Sequence, residues 1–399
     1  MTPSAARLDL VDALRGFAIA SIMLLHNIEH FDLTHVPAGQ PGWLASLDRQ
    51  IWDSAFFLFG GKSYAIFALL FGVTFHLQFS ARAARGEDFR PRFVWRMALL
   101  LAFGLFNSLF YQGDILTLYA VLALALLPVA RLRDGLVLAT ALILLLQPAA
   151  WLALLQALPA PAATLPDPAS WAYFGRANEY LANGTLAQVW LGNLTNGKEG
   201  VLRWSWENGR LFQIPALFML GMLAARQGRF ALSHANRVFW RRALLLAVLA
   251  FVPLYLVNDQ LGRWIAAEGL RRPVTVMVES WMKLAFMVVL VALFALGFHA
   301  ARGTRVLRAF APLGRMSLTS YVVQSLVGTT LYYGFGLGLY RVTGATACLA
   351  IGLALALLQG CLCAWWLRRY RQGPLEALWH RATWLGAPAP AVRASRTGI

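Results

Sequence analysis

Two basic side chains of different chemistry share one stripe of the first apolar segment. The segment Leu10–Ile28 contains Arg15 and His26, which are eleven residues apart, close to three helical turns. At a rise of 1.5 Å per residue, the Cα atoms of the two residues lie about 16 Å apart along the helix axis. A guanidinium near one end of a helix and an imidazole near the other indicate a tunnel along it.

A charged side chain inside an apolar segment needs a partner or a water-filled cavity, because its burial in hydrocarbon costs several kcal/mol. Asp12 lies three residues before Arg15 on the same helix face, so the two can pair. The alternative is that Arg15 reaches toward lipid phosphates and that His26 is an ordinary histidine at the membrane interface.

Composition defines the class of protein that must position these groups. The chain has 399 residues, of which 59% are apolar and 13% charged. Ordinary globular domains have about 45–50% apolar and about 25% charged residues. The chain is therefore predicted to be a membrane protein of several spans, and a disordered chain, a disulfide scaffold and a soluble nucleic-acid-binding protein are excluded. The formal charge of +17 is then assigned to loops that face the cytoplasm.

The apolar pattern predicts an all-α bundle of ten spans in one domain, residues 1–385, followed by a cytoplasmic tail, residues 386–399. The spans are taken to cross about 30 Å of hydrocarbon, although the fourth and the sixth are short. The predicted spans are Leu10–Ile28, Ala55–Phe79, Phe93–Phe110, Ile115–Val129, Gly135–Leu158, Leu211–Ala225, Val238–Val257, Met282–His299, Met316–Leu337 and Thr346–Leu367.

Arginines concentrate in alternate loops, and basic loops remain in the cytoplasm. Both termini are therefore predicted to be cytoplasmic, with His26 near the outer face. Residues 159–210 form the longest non-cytoplasmic segment. It is predicted to contain one amphipathic helix, which is either interfacial or a lid over an outward-facing site. The aromatic and apolar positions along that helix are Trp171, Phe174, Tyr180, Leu186 and Trp190.

The arrangement of an arginine, ten residues and a histidine in a first span resembles the membrane acyltransferase superfamily. That superfamily includes bacterial glycan O-acetyltransferases and heparan-α-glucosaminide N-acetyltransferase. Further stretches resemble a narrower branch, the YeiB-like proteins, whose shared region is called domain of unknown function 418. These stretches are Leu10–Ile19, Lys62–Gly72, Gly113–Tyr119, Gly314–Ser325 and Gly373–Trp379. Many members have Asn near position 26, whereas this chain has His26 followed by Asn27.

The resemblance implies transfer of an acyl group, most simply acetyl from cytoplasmic acetyl-CoA, to a glycan, lipid or small-molecule acceptor at the outer face. Arg15, Arg96 and Arg315 would bind the acyl-CoA phosphates. His26 would act as a general base or accept the acetyl group transiently, and Glu29 and Asp12 would support it. The bilayer of a bacterial inner membrane is the expected environment, a homodimer is a further expectation, and no metal and no nucleic acid is expected.

Other polar side chains are candidates for the same site. Asn27, His30 and Lys62 would contact the acceptor, although Lys62 could instead reach the outer surface. Asp114 and Glu207 would also face the acceptor, although each could instead cap a turn or helix.

A polar stripe on the ninth predicted span is the remaining candidate. Ser317, Tyr321 and Gln324 recur at helical spacing after Arg315. They either form hydrogen bonds between helices or line the acyl-CoA tunnel.

Two other functions remain open. A small-molecule transporter is the main alternative, and a single cavity joining Arg15 to His26 would favour acyl transfer over it. The string His26-Asn-Ile-Glu29-His30 also matches the H-x-x-E-H pattern of a metal-dependent hydrolase, but a catalytic zinc site needs a third ligand, which the sequence does not offer nearby.

We expect both termini to be cytoplasmic, because the arginine-rich loops alternate along the chain. A reporter that is active only in the periplasm, fused after Ile399, should therefore be inactive. The same reporter fused within residues 159–210 should be active and serves as the control. Activity of the carboxy-terminal fusion would contradict the predicted orientation.

Overall fold

The computed structural model describes residues 9–33, 35–161 and 165–385, so the predicted tail 386–399 lies outside the described residues. The described part of the chain forms α-helices and short helical turns and no strand. The all-α prediction is confirmed. The first eight helices are α1 Asp9–Ile28, α2 Gly42–Phe59, α3 Ser63–Ala83, α4 Arg90–Phe110, α5 Leu116–Leu122, α6 Leu126–Val129, α7 Asp134–Leu145 and α8 Pro148–Ala157.

The second half of the chain continues the bundle. The next four helices are α9 Ala169–Asn183, α10 Leu186–Gly192, α11 Lys198–Glu207 and α12 Arg210–Arg226. The last seven are α13 His234–Trp264, α14 Glu268–Phe298, α15 Ala301–Leu307, α16 Ala311–Arg315, α17 Ser317–Tyr332, α18 Ala345–Arg369 and α19 Pro374–Thr383.

Each predicted span coincides with a helix or a short series of helices. Six candidates in the described residues are long and apolar enough to cross a bilayer: α1, the run from α2 to α3, α4, α13, α14 and α18. The pair α7 and α8, bent by 41°, makes a seventh if it is one span. The chain is thus a multi-pass membrane protein, whereas the number of ten spans and the orientation stay predictions.

The predicted second span, Ala55–Phe79, is not one continuous helix. A break near its start separates α2 from α3. Gly60 and Gly61 form the break, and Gly61 has a left-handed φ of +75° that glycine adopts readily. Lys62 then turns back, and its Nζ donates to the carbonyl oxygens of Phe56 at 3.2 Å and Phe57 at 2.8 Å. The lysine therefore satisfies the open carboxy-terminal carbonyls of α2.

The predicted single amphipathic helix in residues 159–210 is also wrong. Three helices, α9 to α11, occupy this region. Gly184 ends α9, and Thr185 and Gln188 form a capping box that starts α10. Leu186 and Trp190 therefore lie on a different helix from Trp171.

The first helix is enclosed by the others. In its most apolar window 72% of α1 is buried, against 11% for α13. Gly16 of α1 and Gly314 of α16 allow the two backbones to touch. A Cβ atom on Gly16 would lie 1.8 Å from the carbonyl oxygen of Phe310, and one on Gly314 would lie 1.8 Å from that of Asp12. Such small-residue crossings are typical of membrane helix interfaces.

We expect Gly16→Ala to lower the free energy of unfolding by about 1–3 kcal/mol or more, because the methyl group cannot be accommodated without moving the backbone. The matched control is Gly262→Ala in α13, where a Cβ atom meets nothing within 4 Å. That variant should be neutral or slightly stabilising. Thermal unfolding of both variants in the same detergent tests this, and equal midpoints would contradict the close crossing.

Candidate functional site

A cavity of about 700 Å³ surrounds the carboxy-terminal end of α1. We call it the outer cavity, after the predicted orientation. His26 and Glu29 line it, as does Asp32 in the turn that follows α1. Its other walls come from the break between α2 and α3, the α4–α5 turn, α11, the start of α12, α13 and α14. Many of its lining side chains are aromatic: Trp52, Phe56, Phe57, Phe59, Tyr64, Tyr111, Phe174, Trp204, Phe251, Tyr255 and Tyr321.

Three consecutive left-handed residues turn the chain after α1. His30, Phe31 and Asp32 have φ values of 49°, 55° and 70°. Non-glycine residues in this conformation cost of the order of 1–3 kcal/mol each and persist only when their surroundings hold them. Here the Phe31 ring is buried against Gly328, where a Cβ atom would lie 1.9 Å from the ring, and Tyr333 donates to the Phe31 carbonyl at 2.6 Å.

This turn brings two carboxyl groups to the cavity that contains His26. Burial and the nearby Asp32 together raise the pKa of Glu29 to about 8, although Arg210 opposes the shift. Burial likewise raises the pKa of Asp32 to about 6, against a hydrogen bond that Tyr111 donates to it at 3.2 Å. The two carboxyl groups titrate as one unit that can hold a proton near neutral pH.

Aromatic and cationic groups complete the surroundings of His26. Its ring centroid lies 4.7 Å from that of Tyr111 and 5.5 Å from that of Phe31. Arg210 begins α12 after the left-handed Gly209, and its guanidinium lies over the ring of Trp204 at 3.8 Å. The outer cavity thus combines an imidazole, a carboxyl pair and a guanidinium, which are the groups that proton transfer and stabilisation of an anion require.

Asn27 and His30 do not line this cavity, which corrects their predicted contact with an acceptor. Asn27 is buried and accepts a hydrogen bond from the Tyr332 hydroxyl at 3.0 Å. His30 is buried, and its Nε2 lies 2.9 Å from the carbonyl oxygen of Thr343. His26 and His30 consequently face different surroundings, so the H-x-x-E-H string does not direct both imidazoles to one metal. No cluster of three His, Cys, Asp or Glu side chains suited to a metal occurs among the described residues.

Asp114 and Glu207 act at helix starts. Asp114 is buried beside the outer cavity, where it accepts hydrogen bonds from Asn107 at 3.0 Å and from the Thr117 backbone N–H at 3.0 Å. Lys198 lies 3.7 Å from the same carboxylate. Glu207 accepts from the Ser170 hydroxyl at 2.5 Å and from the Ser170 N–H at 3.2 Å, which caps α9, and it is outside the cavity.

A second cavity of about 540 Å³ lies at the other end of α1, and we call it the inner cavity. Aromatic rings and a concentration of guanidinium groups line it. Its arginines are Arg15, Arg82, Arg85, Arg96 and Arg315. Glu376 of α19 also lines it, but this carboxylate accepts hydrogen bonds from the Leu318 and Thr319 N–H groups at 2.7 and 3.0 Å and so caps α17. The inner cavity is therefore strongly electropositive and fits a ligand with several negative charges.

Two arginines of the inner cavity are held by neighbouring groups. Arg15 donates hydrogen bonds to the Thr74 hydroxyl at 2.8 Å and to the Asp12 carboxylate at 3.2 Å, and these bonds hold its guanidinium group at the cavity wall. Arg96 lies over the Trp379 ring at 4.3 Å. Asp12 lies fourteen residues before His26, about 21 Å away along the helix, which is too far for it to assist His26 directly. Its predicted catalytic role is therefore corrected: Asp12 positions Arg15.

The two cavities are separate, which differs from the single tunnel that the sequence indicates. Ser317 lines the inner cavity and Tyr321 the outer cavity, whereas Gln324 is buried away from both and donates to Gln359 at 3.2 Å. The predicted polar stripe on α17 therefore does not follow one tunnel.

A thin partition divides the cavities at α5. Ile115 and Leu118 face the outer cavity, whereas Leu116 and Tyr119 face the inner cavity. The Tyr119 hydroxyl donates to the carbonyl oxygen of Tyr64, a residue that lines the outer cavity, at 2.6 Å. The short helix α5, with side chains on its two faces, thus lies between the arginine-rich and histidine-containing spaces.

We expect the free energy of unfolding to fall as pH rises from about 4.5 to about 8, because folded Glu29 retains a proton that the unfolded chain releases. Glu29→Gln, which is neutral throughout, should flatten this part of the profile. Thermal midpoints measured across this pH range test the prediction. Glu179→Gln on the exposed face of α9 is the control and should keep the wild-type slope. Identical profiles for wild type and Glu29→Gln would contradict the raised pKa.

Comparison with known proteins shows which proteins the chain resembles. Residues 224–386 match the family described as "Protein of unknown function (DUF418)". The chain is 27% identical to uncharacterized protein YxaH of Bacillus subtilis (strain 168), over 95% of this chain and 94% of that protein. It is 29% identical to uncharacterized protein YeiB of Escherichia coli (strain K12), over 96% of this chain and 97% of that protein. No solved structure matches the chain. The carboxy-terminal part of the chain thus matches the DUF418 family, and the chain as a whole is similar to YxaH and YeiB.

Proposed function

We propose that the protein is a membrane acyltransferase that takes an acyl group, most simply acetyl, from acyl-CoA in the inner cavity and delivers it to an acceptor in the outer cavity. The observation that carries this proposal is the placement of two chemically different cavities at opposite ends of α1. Five arginines line one cavity, and His26, Glu29 and Asp32 line the other. Membership of the transmembrane acyltransferase superfamily is part of this proposal and rests on the resemblance of the first span, whereas the bacterial relatives support a location in a bacterial inner membrane.

The inner cavity is suited to the donor. Acyl-CoA carries several phosphate charges, and guanidinium groups bind phosphates bidentately. Arg15 is positioned by Asp12 and Thr74, and Arg82 lies over the Trp384 ring at 4.0 Å. The nucleotide end would remain among these arginines while the flexible pantetheine arm extends toward α5.

The acyl group must then pass the partition between the cavities. About 16 Å of helix separates Arg15 from His26, a span that an extended pantetheine arm can cover. The partition at this level is the short helix α5 with its side chains, including Leu118 on one face and Tyr119 on the other. Movement of these buried side chains together with α5 would open a path for a narrow chain.

The outer cavity is suited to the transfer step. In one route, His26 takes the proton of the acceptor hydroxyl or amine while the acceptor attacks the thioester carbon. The carbon–sulfur bond breaks, and the departing thiolate receives a proton from His26 or from the Glu29–Asp32 pair. In the other route, the neutral His26 imidazole attacks the thioester carbon, the carbon–sulfur bond breaks, and the departing thiolate takes the proton that the imidazole releases. The acceptor then attacks the acyl carbon, the carbon–nitrogen bond breaks, and the acceptor's proton returns to the imidazole. Arg210 is available to stabilise negative charge in either route.

A small-molecule transporter is the second candidate, because the two cavities are separate and open toward opposite ends of α1. A transported solute would pass the same partition intact, without loss of an acyl group. Membranes that contain the protein, and therefore also supply membrane acceptors, distinguish the two functions when they are incubated with radiolabelled acetyl-CoA; membranes with the His26→Ala variant are the control. Release of free CoA with transfer of label above the control supports the acyltransferase, and acetyl-CoA that remains at the control level supports the transporter.

We expect variants at the two ends of α1 to separate donor binding from transfer. Arg15→Gln should weaken acetyl-CoA binding by about 10- to 100-fold, the effect of losing a charge-assisted hydrogen bond. His26→Ala should leave that affinity unchanged but lower acyl transfer by roughly 10²–10⁴-fold, the usual contribution of a positioned proton-transfer group. Calorimetry measures the first effect, and release of CoA in the presence of acceptor measures the second.

Arg131→Gln is the control for Arg15, because Arg131 is exposed in the loop between α6 and α7 and does not line the inner cavity. It should bind acetyl-CoA like the wild type. Thermal midpoints verify that each variant is folded. Wild-type affinity in Arg15→Gln, or near-full transfer in His26→Ala, would contradict the assignment of that residue.

A further inference from the structure

Four aromatic rings close a gap in the wall of the outer cavity between α2 and α13. We call these rings, Phe57, Phe251, Tyr255 and Phe286, the aromatic gate. The Phe57 centroid lies 6.1 Å from those of Phe251 and Tyr255 and 5.1 Å from that of Phe286. The Phe251 and Phe286 centroids are 4.9 Å apart. Three of these rings also line the outer cavity: Phe57, Phe251 and Tyr255.

The helices on the two sides of the gate do not pack closely on each other. Within the described residues, α13 packs extensively along α14 alone, whereas α2 packs on α1 and α18. Only 11% of the most apolar window of α13 is buried. The gap is thus filled by side chains rather than by helix packing, and rings can rotate aside without separating the helices.

The gate borders both the cavity and the apolar surface of the bundle. Phe57 is 42% exposed and Tyr255 is 45% exposed. The neighbouring surface of α13 carries Leu249, Val252 and Leu256, all exposed. On a multi-pass membrane protein such a surface contacts lipid hydrocarbon, so one layer of rings separates the hydrocarbon from the space that contains His26.

The outer cavity combines polar groups with an aromatic wall. His26, Glu29, Asp32 and Arg210 line it at the end of α1 and the start of α12, whereas Trp52 and the gate rings supply the wall toward α2 and α13. Charged groups also lie beside the gate: Lys62, Glu279 and Lys283 line the cavity, and Lys62 Nζ is 5.8 Å from the Phe57 ring and 5.5 Å from the Phe286 ring. A small water-soluble acceptor would leave the apolar wall unoccupied. A molecule with a polar head and a hydrocarbon tail matches both parts.

We propose that the acceptor is a membrane amphiphile that reaches the outer cavity sideways from the bilayer, through the aromatic gate. Its hydroxyl- or amino-bearing head would lie beside His26, and its hydrocarbon tail would pass between Phe57 and Tyr255 into the lipid. This inference rests on the proposed acyl transfer, since it names the substrate class of the same site.

Photolabelling of the full-length protein in lipid nanodiscs tests this proposal. The probe is dodecyl β-D-glucoside that carries a diazirine in its alkyl chain. After irradiation, label should appear on Leu25 and Met282, which line the cavity; Leu25 is only 8% exposed. Excess unlabelled dodecyl glucoside should suppress this labelling, whereas methyl glucoside, with the same head and no tail, should not.

A change in the gate should block the probe. Phe57→Trp adds bulk between α2 and α13 and should lower labelling of Leu25 by about fivefold or more. Leu58→Trp is the matched control, because Leu58 is 40% exposed, adjacent in sequence and absent from the cavity wall, and it should label like the wild type. If Phe57→Trp does not fold, Tyr255→Trp makes the same test.

The outcomes separate this proposal from the proposed function. Label confined to outward-facing side chains, or equal competition by methyl and dodecyl glucoside, would overturn sideways access. The labelling needs no acyl-CoA, so successful labelling without any acyl transfer would count against the acyltransferase alone. Acyl transfer to methyl glucoside in a protein whose cavity the dodecyl probe does not label would count against the amphiphilic acceptor alone.

Discussion

The burial of α1 is the constraint on which the rest of the structure depends. The backbone contact between Gly16 and Gly314 draws α16 onto α1, and α3, α17 and α18 enclose the remaining faces. A helix in this position cannot direct Arg15 or His26 to lipid or bulk water, so both side chains must face internal spaces. The two cavities at its ends follow from that requirement, and the chemistry of each is set by the helices that meet there.

The sequence predicts the features that depend on local pattern. Arg15, Asp12 and His26 share a stripe because helical spacing alone determines it, and the structure places Arg15 and His26 at cavities and Asp12 beside Arg15. Helices also occur at the positions of the ten predicted spans, because runs of apolar residues can be recognised from residue types alone. Their exact limits differ at Gly60–Lys62 and at Gly184, where glycines interrupt apolar or amphipathic patterns.

The sequence does not predict the features that depend on tertiary contacts. Helical extrapolation past Ile28 places His30 on the same face as His26, whereas three left-handed residues send His30 to Thr343 and bring Asp32 to the cavity. That turn is stabilised by Tyr333 and by the space at Gly328, some 300 residues later in the chain. The capping of α17 by Glu376 likewise could not be predicted from the sequence, because it depends on the contact between α19 and α17.

The central claim is that an acyl group, and not the whole donor, crosses the partition between the cavities. The most direct measurement uses sealed vesicles with the protein in one orientation and acetyl-CoA, labelled separately in the acetyl and CoA parts, on the side of the inner cavity. The account predicts that the acetyl label appears on acceptor at the opposite face while the CoA label stays on the donor side. Passage of both labels together, or release of both on the donor side, would contradict it.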